Sequence, residues 1–167
     1  MKNIVLLGMR GSGKSTIGAL LAKELKKKFF DTDAEIEKEI QMSISDFVKK
    51  EGWNAFRERE KKICAALSQE KNSVIATGGG IILDTENIHA LKKNGVLFFL
   101  NVPMPVLAQR IEAQNANHRP AFTKKTTEEE LQELWKNRKE KYFSAADIIL
   151  SGENTPKNIV KTIKKYV

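Results

Sequence analysis

Gly8-Met9-Arg10-Gly11-Ser12-Gly13-Lys14-Ser15 follows directly on the apolar run Ile4-Val5-Leu6-Leu7, and a helical pattern follows it in turn. The octet has the G-x-x-x-x-G-K-[ST] spacing of a phosphate loop. Strand, glycine loop and helix in that order commit the start of the chain to one unit of a parallel α/β sheet. Glycines at 8, 11 and 13 let the backbone curl so that successive N–H groups turn inward. From Lys14 to Lys27, Ile17, Leu20, Leu21 and Leu25 share one helical face, and the positive end of that helix adds to an anion site. Gly11, Ser12, Gly13, Lys14, Ser15 and Thr16 are therefore the expected triphosphate-binding residues. Lys14 would reach the β- and γ-phosphates, and the Ser15 hydroxyl would be a ligand for Mg²⁺.

Strand and helix signals alternate along the rest of the chain. Further β-rich runs are Phe29–Phe30, Val74–Ala76, Val96–Leu100 and Asp147–Leu150. Helical patterns lie between them, around Ala34–Glu39, Ile44–Lys49, Asn54–Gln69, Thr85–Lys93, Pro105–Gln114, Thr127–Phe143 and Pro156–Tyr166. Thr127 with Glu128-Glu129-Glu130 reads as a capping-box start. The alternation predicts a three-layer α/β/α domain over residues 1–167, with a central five-stranded parallel sheet. Residues 115–126, polar and basic around Arg119-Pro120, read as a mobile lid.

Composition limits the partners. The net charge of +8 is spread over scattered lysine pairs such as Lys49-Lys50, Lys92-Lys93 and Lys164-Lys165. Aromatic residues do not interleave with them, so a solvated surface is expected, with no nucleic-acid groove. The single cysteine, Cys64, cannot form an internal disulfide and points to a reducing compartment. No apolar run reaches bilayer length, and the N-terminus enters a strand directly, without a leader segment. A cytoplasmic protein that engages no membrane is expected.

A phosphate loop alone leaves several classes open. After Val96–Leu100 there is no N-K-x-D, the guanine-reading signature of GTPases. The Ser73–Ala76 strand ends in Thr77-Gly78-Gly79-Gly80 and not in a Walker B aspartate, and the chain is short for a motor or helicase. A small-molecule kinase remains.

Three constellations bear on its second substrate. In Asp31-Thr32-Asp33, extended chain would place both carboxylates on one side, one toward Mg²⁺ and one toward an attacking hydroxyl. The competing reading is a turn or helix cap with two acidic residues. In Phe56-Arg57-Glu58-Arg59-Glu60, Arg57 and Glu60 are a helical turn apart and can pair, as many surface ion pairs do. Gly78-Gly79-Gly80 permits close backbone approach, or is a flexible turn.

Together these residues resemble the shikimate kinase family along nearly the whole chain. The resemblance rests on G-M-R-G-S-G-K-S-T-I-G, D-T-D, E-G-W-x-x-F-R-x-x-E, T-G-G-G, Arg119-Pro120 and Leu134-x-x-x-Arg138-x-x-x-Tyr142. It implies a P-loop kinase fold, a substrate-binding region at residues 33–60, and Mg²⁺-dependent phosphoryl transfer from ATP to the 3-hydroxyl of shikimate. The product would be shikimate 3-phosphate, on the route to chorismate and aromatic amino acids.

Carried over by position, Asp33 orients the nucleophile and binds the ring hydroxyls, while Arg57 and Arg138 grip the carboxylate, with Glu60 steadying Arg57. Gly78, Gly79 and Gly80 turn amides to the substrate. Lys14 and Arg119 act on the ATP phosphates, Asp31 stands behind the Mg²⁺ held by Ser15, and Arg110, Pro156 and the turn before it flank the adenine. A monomer is the family expectation.

Departures are small. The lid reads Arg-Pro-Ala-Phe, and Val48 stands where some members carry an aromatic residue, with Trp53 and Phe56 available for that wall. The rival readings are a gluconate or nucleoside monophosphate kinase, and a nucleotide-binding regulatory protein without catalysis.

Overall fold

The computed structural model describes residues 2–118 and 126–167. Its first strand, β1 (Asn3–Leu7), is apolar from Ile4 to Leu7 and buried on both faces, the pattern of a central strand in a covered parallel sheet. Around it stand β2 (Lys28–Asp31), β3 (Ser73–Ala76), β4 (Gly95–Asn101) and β5 (Ile148–Ser151). The five strands lie in the order β2-β3-β1-β4-β5, and every pairing is parallel. Asn3 fixes the register at the start of the sheet. Its side chain accepts from Ser73 N–H at 3.0 Å and donates to the Glu70 carbonyl at 2.7 Å.

Strand alternation sorts the core into two layers. Ile4 and Leu6 of β1, with Phe98 and Leu100 of β4, face α1 (Lys14–Leu25) and α7 (Pro156–Ile163) through Ile17, Leu21, Ile159 and Ile163. Val5, Leu7, Leu97 and Phe99 face the other way. They meet α3 (Ile44–Ser68), α4 (Thr85–Asn94), α5 (Met104–His118) and α6 (Thr127–Ala145) through Leu67, Leu91, Ile111 and Tyr142. Each fully buried Leu, Ile or Phe contributes about 1.5–3 kcal/mol relative to exposure. The expected three-layer α/β/α fold with a five-stranded parallel sheet is the one observed. A smaller cluster of Ile36, Phe47 and Phe56 joins α2 (Thr32–Ile40) to α3, beyond the carboxyl end of β2.

Several boundaries differ from the sequence expectation, each for a local reason. The helices expected at Ile44–Lys49 and Asn54–Gln69 are both present and run on into one another as α3, with a kink of non-helical backbone at Gly52 between them. Its φ of 83° and ψ of 169° are strained for any residue with a Cβ. α2 begins two residues earlier than expected, because Asp31 caps it and accepts from the Asp33 and Ala34 N–H groups. The capping box of α6 is built by Thr126 with Glu129, one residue before the expected Thr127. α5 continues to His118, into the segment expected to form the lid.

Candidate active site

The carboxyl ends of β1, β2 and β3 bring the phosphate loop, Asp31-Thr32-Asp33 and Gly78-Gly79-Gly80 to one edge of the sheet, where ligands of open α/β folds collect, and α3 brings Phe56–Glu60. The phosphate loop bends into α1 through Gly13 at φ 89°, a left-handed conformation, and α1 starts without a side-chain cap. Lys14 is buried across this loop. Its ammonium donates to the Gly8 and Met9 carbonyls, both at 2.9 Å, and to Ser12 Oγ at 3.3 Å. Burial brings the Lys14 ammonium down to about 8, against the opposing pull of Asp33 and Asp31.

Asp31 and Asp33 meet the phosphate loop by a different route from the extended-chain geometry expected. Asp31 ends β2 and caps α2 with Oδ1, while Oδ2 accepts from the Ser15 hydroxyl at 2.5 Å. It is both the helix cap and the partner of the phosphate-loop serine. Asp33 lies in the first turn of α2, over the glycine loop that follows β3. A Cβ on Gly78 would fall within 2.4 Å of Asp33 Oδ1. Burial raises the Asp33 carboxyl to about 6. Asp31, Glu60 and Glu37 push the same way, and Lys14 opposes them.

Arg57 rests on the same glycine loop from α3. A Cβ on Gly80 would come within 2.4 Å of Arg57 Nη1 and 2.8 Å of its Cζ. Gly80→Ala is therefore expected to displace the guanidinium and raise the acceptor KM about tenfold, with the ATP KM unchanged, in initial-rate assays. Arg57 Nη1 donates to Glu60 Oε2 at 2.7 Å, and its guanidinium stands over the rings of Phe56 and Trp53, 5.1 and 5.4 Å from their centroids. This is no surface pair. Glu60 is 1% exposed, and its other oxygen, Oε1, is buried without a hydrogen-bond partner. Burial raises the Glu60 carboxyl, and the Arg57 charge restrains the rise.

From α6, Arg138 Nη1 donates to the Gly79 carbonyl at 3.1 Å. The Tyr142 hydroxyl donates to that same oxygen at 2.5 Å. Tyr142 is fully buried and lies parallel to Phe99, centroids 4.9 Å apart, and burial lifts its hydroxyl to about 12. Asp33, Arg57 and Arg138 thus lie against three successive glycines, with Asp33 within electrostatic reach of Lys14.

A second space adjoins the phosphate loop. It is a cavity of about 550 Å³ lined by residues 11–16 with Arg110, Gly152, Asn154 and Pro156. That is room for a nucleoside. Arg110 spans its wall, donating to the Gly152 carbonyl at 3.3 Å and the Gly11 carbonyl at 3.5 Å. Every expected nucleotide-side residue within the described residues lines this space; Arg119 lies outside the described residues.

The Ser15 hydroxyl and the Asp31 carboxylate supply hard oxygen donors beside the phosphate loop. That donor set fits Mg²⁺, which is held through few protein ligands and the phosphates themselves. Among the described residues no group of three or more His, Cys, Asp or Glu could form a separate metal site.

Neither Thr32 nor the role of Tyr142 was singled out in the sequence, although both lie inside quoted motifs. Thr32 accepts from Gly78 N–H, so of the three glycine amides expected to face the substrate that of Gly78 is turned to α2 instead. Gly152 and Asn154 were signalled only as the turn before Pro156.

The model of the shikimate kinase family matches residues 10–167. Shikimate kinase 2 of Escherichia fergusonii is 38% identical over 162 residues, covering 96% of this chain and 89% of the relative. Shikimate kinase 2 of Photorhabdus laumondii is 37% identical over 98% of this chain and 94% of its own. Among solved structures, the shikimate kinase of Acinetobacter baumannii in complex with shikimate superposes with a TM-score of 0.92 at 32% identity, covering 99% of this chain and 92% of that one.

Proposed function

The chain belongs to the shikimate kinase family, and from that premise we infer that it transfers the γ-phosphoryl group of ATP to the 3-hydroxyl of shikimate, giving shikimate 3-phosphate. The observation that carries this reading is the convergence of Asp33, Arg57 and Arg138 on Gly78-Gly79-Gly80, beside Lys14. Two guanidinium groups suit one carboxylate, a buried aspartate suits ring hydroxyls, and glycines let the substrate approach the backbone.

In the mechanism the residues position groups and balance charge, as phosphoryl transfer demands. Arg57, held by Glu60, and Arg138 fix the acceptor carboxylate and so aim the ring. Asp33 accepts a hydrogen bond from the attacking hydroxyl and takes its proton as the bond to phosphorus forms. Lys14 leaves the Gly8 and Met9 carbonyls for the phosphate oxygens and stabilises the charge that moves to the leaving diphosphate. Shikimate kinases use ATP and Mg²⁺; Ser15 and Asp31 would hold the ion, which neutralises phosphate charge when bound. Arg119 is proposed to act on the same phosphates from the segment following α5, and Arg110 and Pro156 to flank the adenine. A monomer that engages no nucleic acid and no membrane is part of this proposal. Among the described residues no helix is long and apolar enough to cross a membrane. A cytoplasmic location is part of this proposal.

The acid side of the pH profile follows from Asp33. It works as the carboxylate, so kcat/KM for shikimate is expected to fall as pH drops through about 6, well above an ordinary aspartate. A steady-state profile between pH 5 and pH 8 checks this. The reaction is tested by product identification: ³¹P–¹H correlation should place the new phosphate on C3, and phosphate on another carbon would refute the assignment.

A further inference from the structure

We propose that Thr32 is a positioning residue for the acceptor site, its hydroxyl fastening Gly78 beneath Asp33; this rests on the shikimate kinase reading. The β2–β3 ladder ends at the Asp31–Ala76 pair. Past that point β2 turns into α2 and β3 into the glycine loop, so the two backbones separate. Thr32, the first residue of α2, carries the pairing one step further with a side chain. Its Oγ1 accepts from Gly78 N–H at 2.7 Å in a buried contact, and Thr32 itself is 0% exposed.

The other side of the loop is fastened as well. Thr77 N–H and Oγ1–H both donate to the Leu6 carbonyl of β1, at 3.2 and 2.9 Å. One hydroxyl therefore ties the loop to β1, which carries the phosphate site, and the other ties it to the α2 turn that carries Asp33.

The position of Thr32 in the chain explains why a hydroxyl matters there. Asp31, before it, accepts from Ser15 on the nucleotide side. Asp33, after it, lies against Gly78 so closely that a Cβ there would overlap its carboxylate. Thr32 sits between the two and holds the surface Asp33 lies on. Without the hydroxyl, the Gly78 N–H would be buried with no acceptor, and the loop would shift to find one. A displacement of about 1 Å at a reacting centre can lower the rate on the order of a hundredfold.

The discriminating experiment uses Thr32→Val, Thr32→Ser and Thr32→Ala, assayed alongside the parent enzyme. Valine keeps the shape and loses the acceptor; serine keeps the acceptor and loses a methyl. The expected result is a loss in kcat/KM for shikimate of about tenfold to a hundredfold in Thr32→Val, mostly in kcat, with KM for ATP within about twofold. Thr32→Ser should stay within about threefold of the parent. Should Thr32→Val not fold, Ser against Ala decides, since both lack the methyl and Ala lacks the hydroxyl as well; Ala should fall at least tenfold below Ser. Packing alone would reverse the order, with Val tolerated and both Ser and Ala impaired, and that result overturns the proposal. A parent enzyme that does not phosphorylate shikimate would instead overturn the functional reading beneath it.

Discussion

Asp33→Asn is expected to lower kcat about a thousandfold while leaving KM for ATP and shikimate within a few-fold of the parent. Asparagine matches the shape of the aspartate and still accepts a hydrogen bond, but it cannot take a proton from the attacking hydroxyl. General-base assistance of that kind is worth about 10²–10⁴ in rate. Stability provides the internal control. The Asp33 carboxyl is raised to about 6, chiefly by burial, so the folded state disfavours its ionised form. The resulting destabilisation builds as pH rises from the unfolded value of about 4 to the folded value, and is fully present above it. Removing the charge at neutral pH should therefore leave the melting temperature equal or higher. An inactive variant with that melting profile has lost chemistry and not the fold. A kcat near that of the parent would remove Asp33 from the mechanism.

Arg138→Ala is expected to raise KM for shikimate about a hundredfold with a much smaller change in kcat. Charge-assisted hydrogen bonds to a carboxylate are worth about 1.5–3 kcal/mol, and one arm of the proposed clamp is lost. The Gly79 carbonyl keeps Tyr142 as a donor, so the glycine loop retains an anchor and the effect should stay on acceptor binding. Lysine at this position should restore little, because it lacks the planar fork. Initial rates with each substrate varied separately will show this. An unchanged KM for shikimate with a raised KM for ATP would place Arg138 on the nucleotide side.

The parts of the site legible in the sequence are those where local chemistry leaves few options. The phosphate loop needs its glycines, lysine and hydroxyl at fixed offsets, and an apolar strand before and a helix after. Strand alternation in Ile4–Leu7 and Val96–Leu100 likewise determines which residues face each helical layer.

Spacing could not determine direction. The one-turn separation of Arg57 and Glu60 permitted an ion pair, but not the knowledge that Glu60 faces inward and is 1% exposed. In Asp31-Thr32-Asp33 the two carboxylates reach the expected region, yet a helix cap brings them there where extended alternation was expected. The contacts that hold the glycine loop were beyond any local pattern. Arg138 and Tyr142 bond Gly79 from 59 and 63 residues away, and Thr32 reaches Gly78 across 46. Only the packing of α6 and α2 against the sheet makes them neighbours.

Shikimate is proposed to be the phosphoryl acceptor at the polar residues beside Lys14. The most direct test is ADP release from Mg²⁺-ATP by the purified protein with shikimate, gluconate or each nucleoside monophosphate as the acceptor. Rapid release is expected with shikimate, and only background hydrolysis with the others. Turnover on gluconate or a nucleoside monophosphate, or ATP binding without turnover on any acceptor, would contradict the proposal.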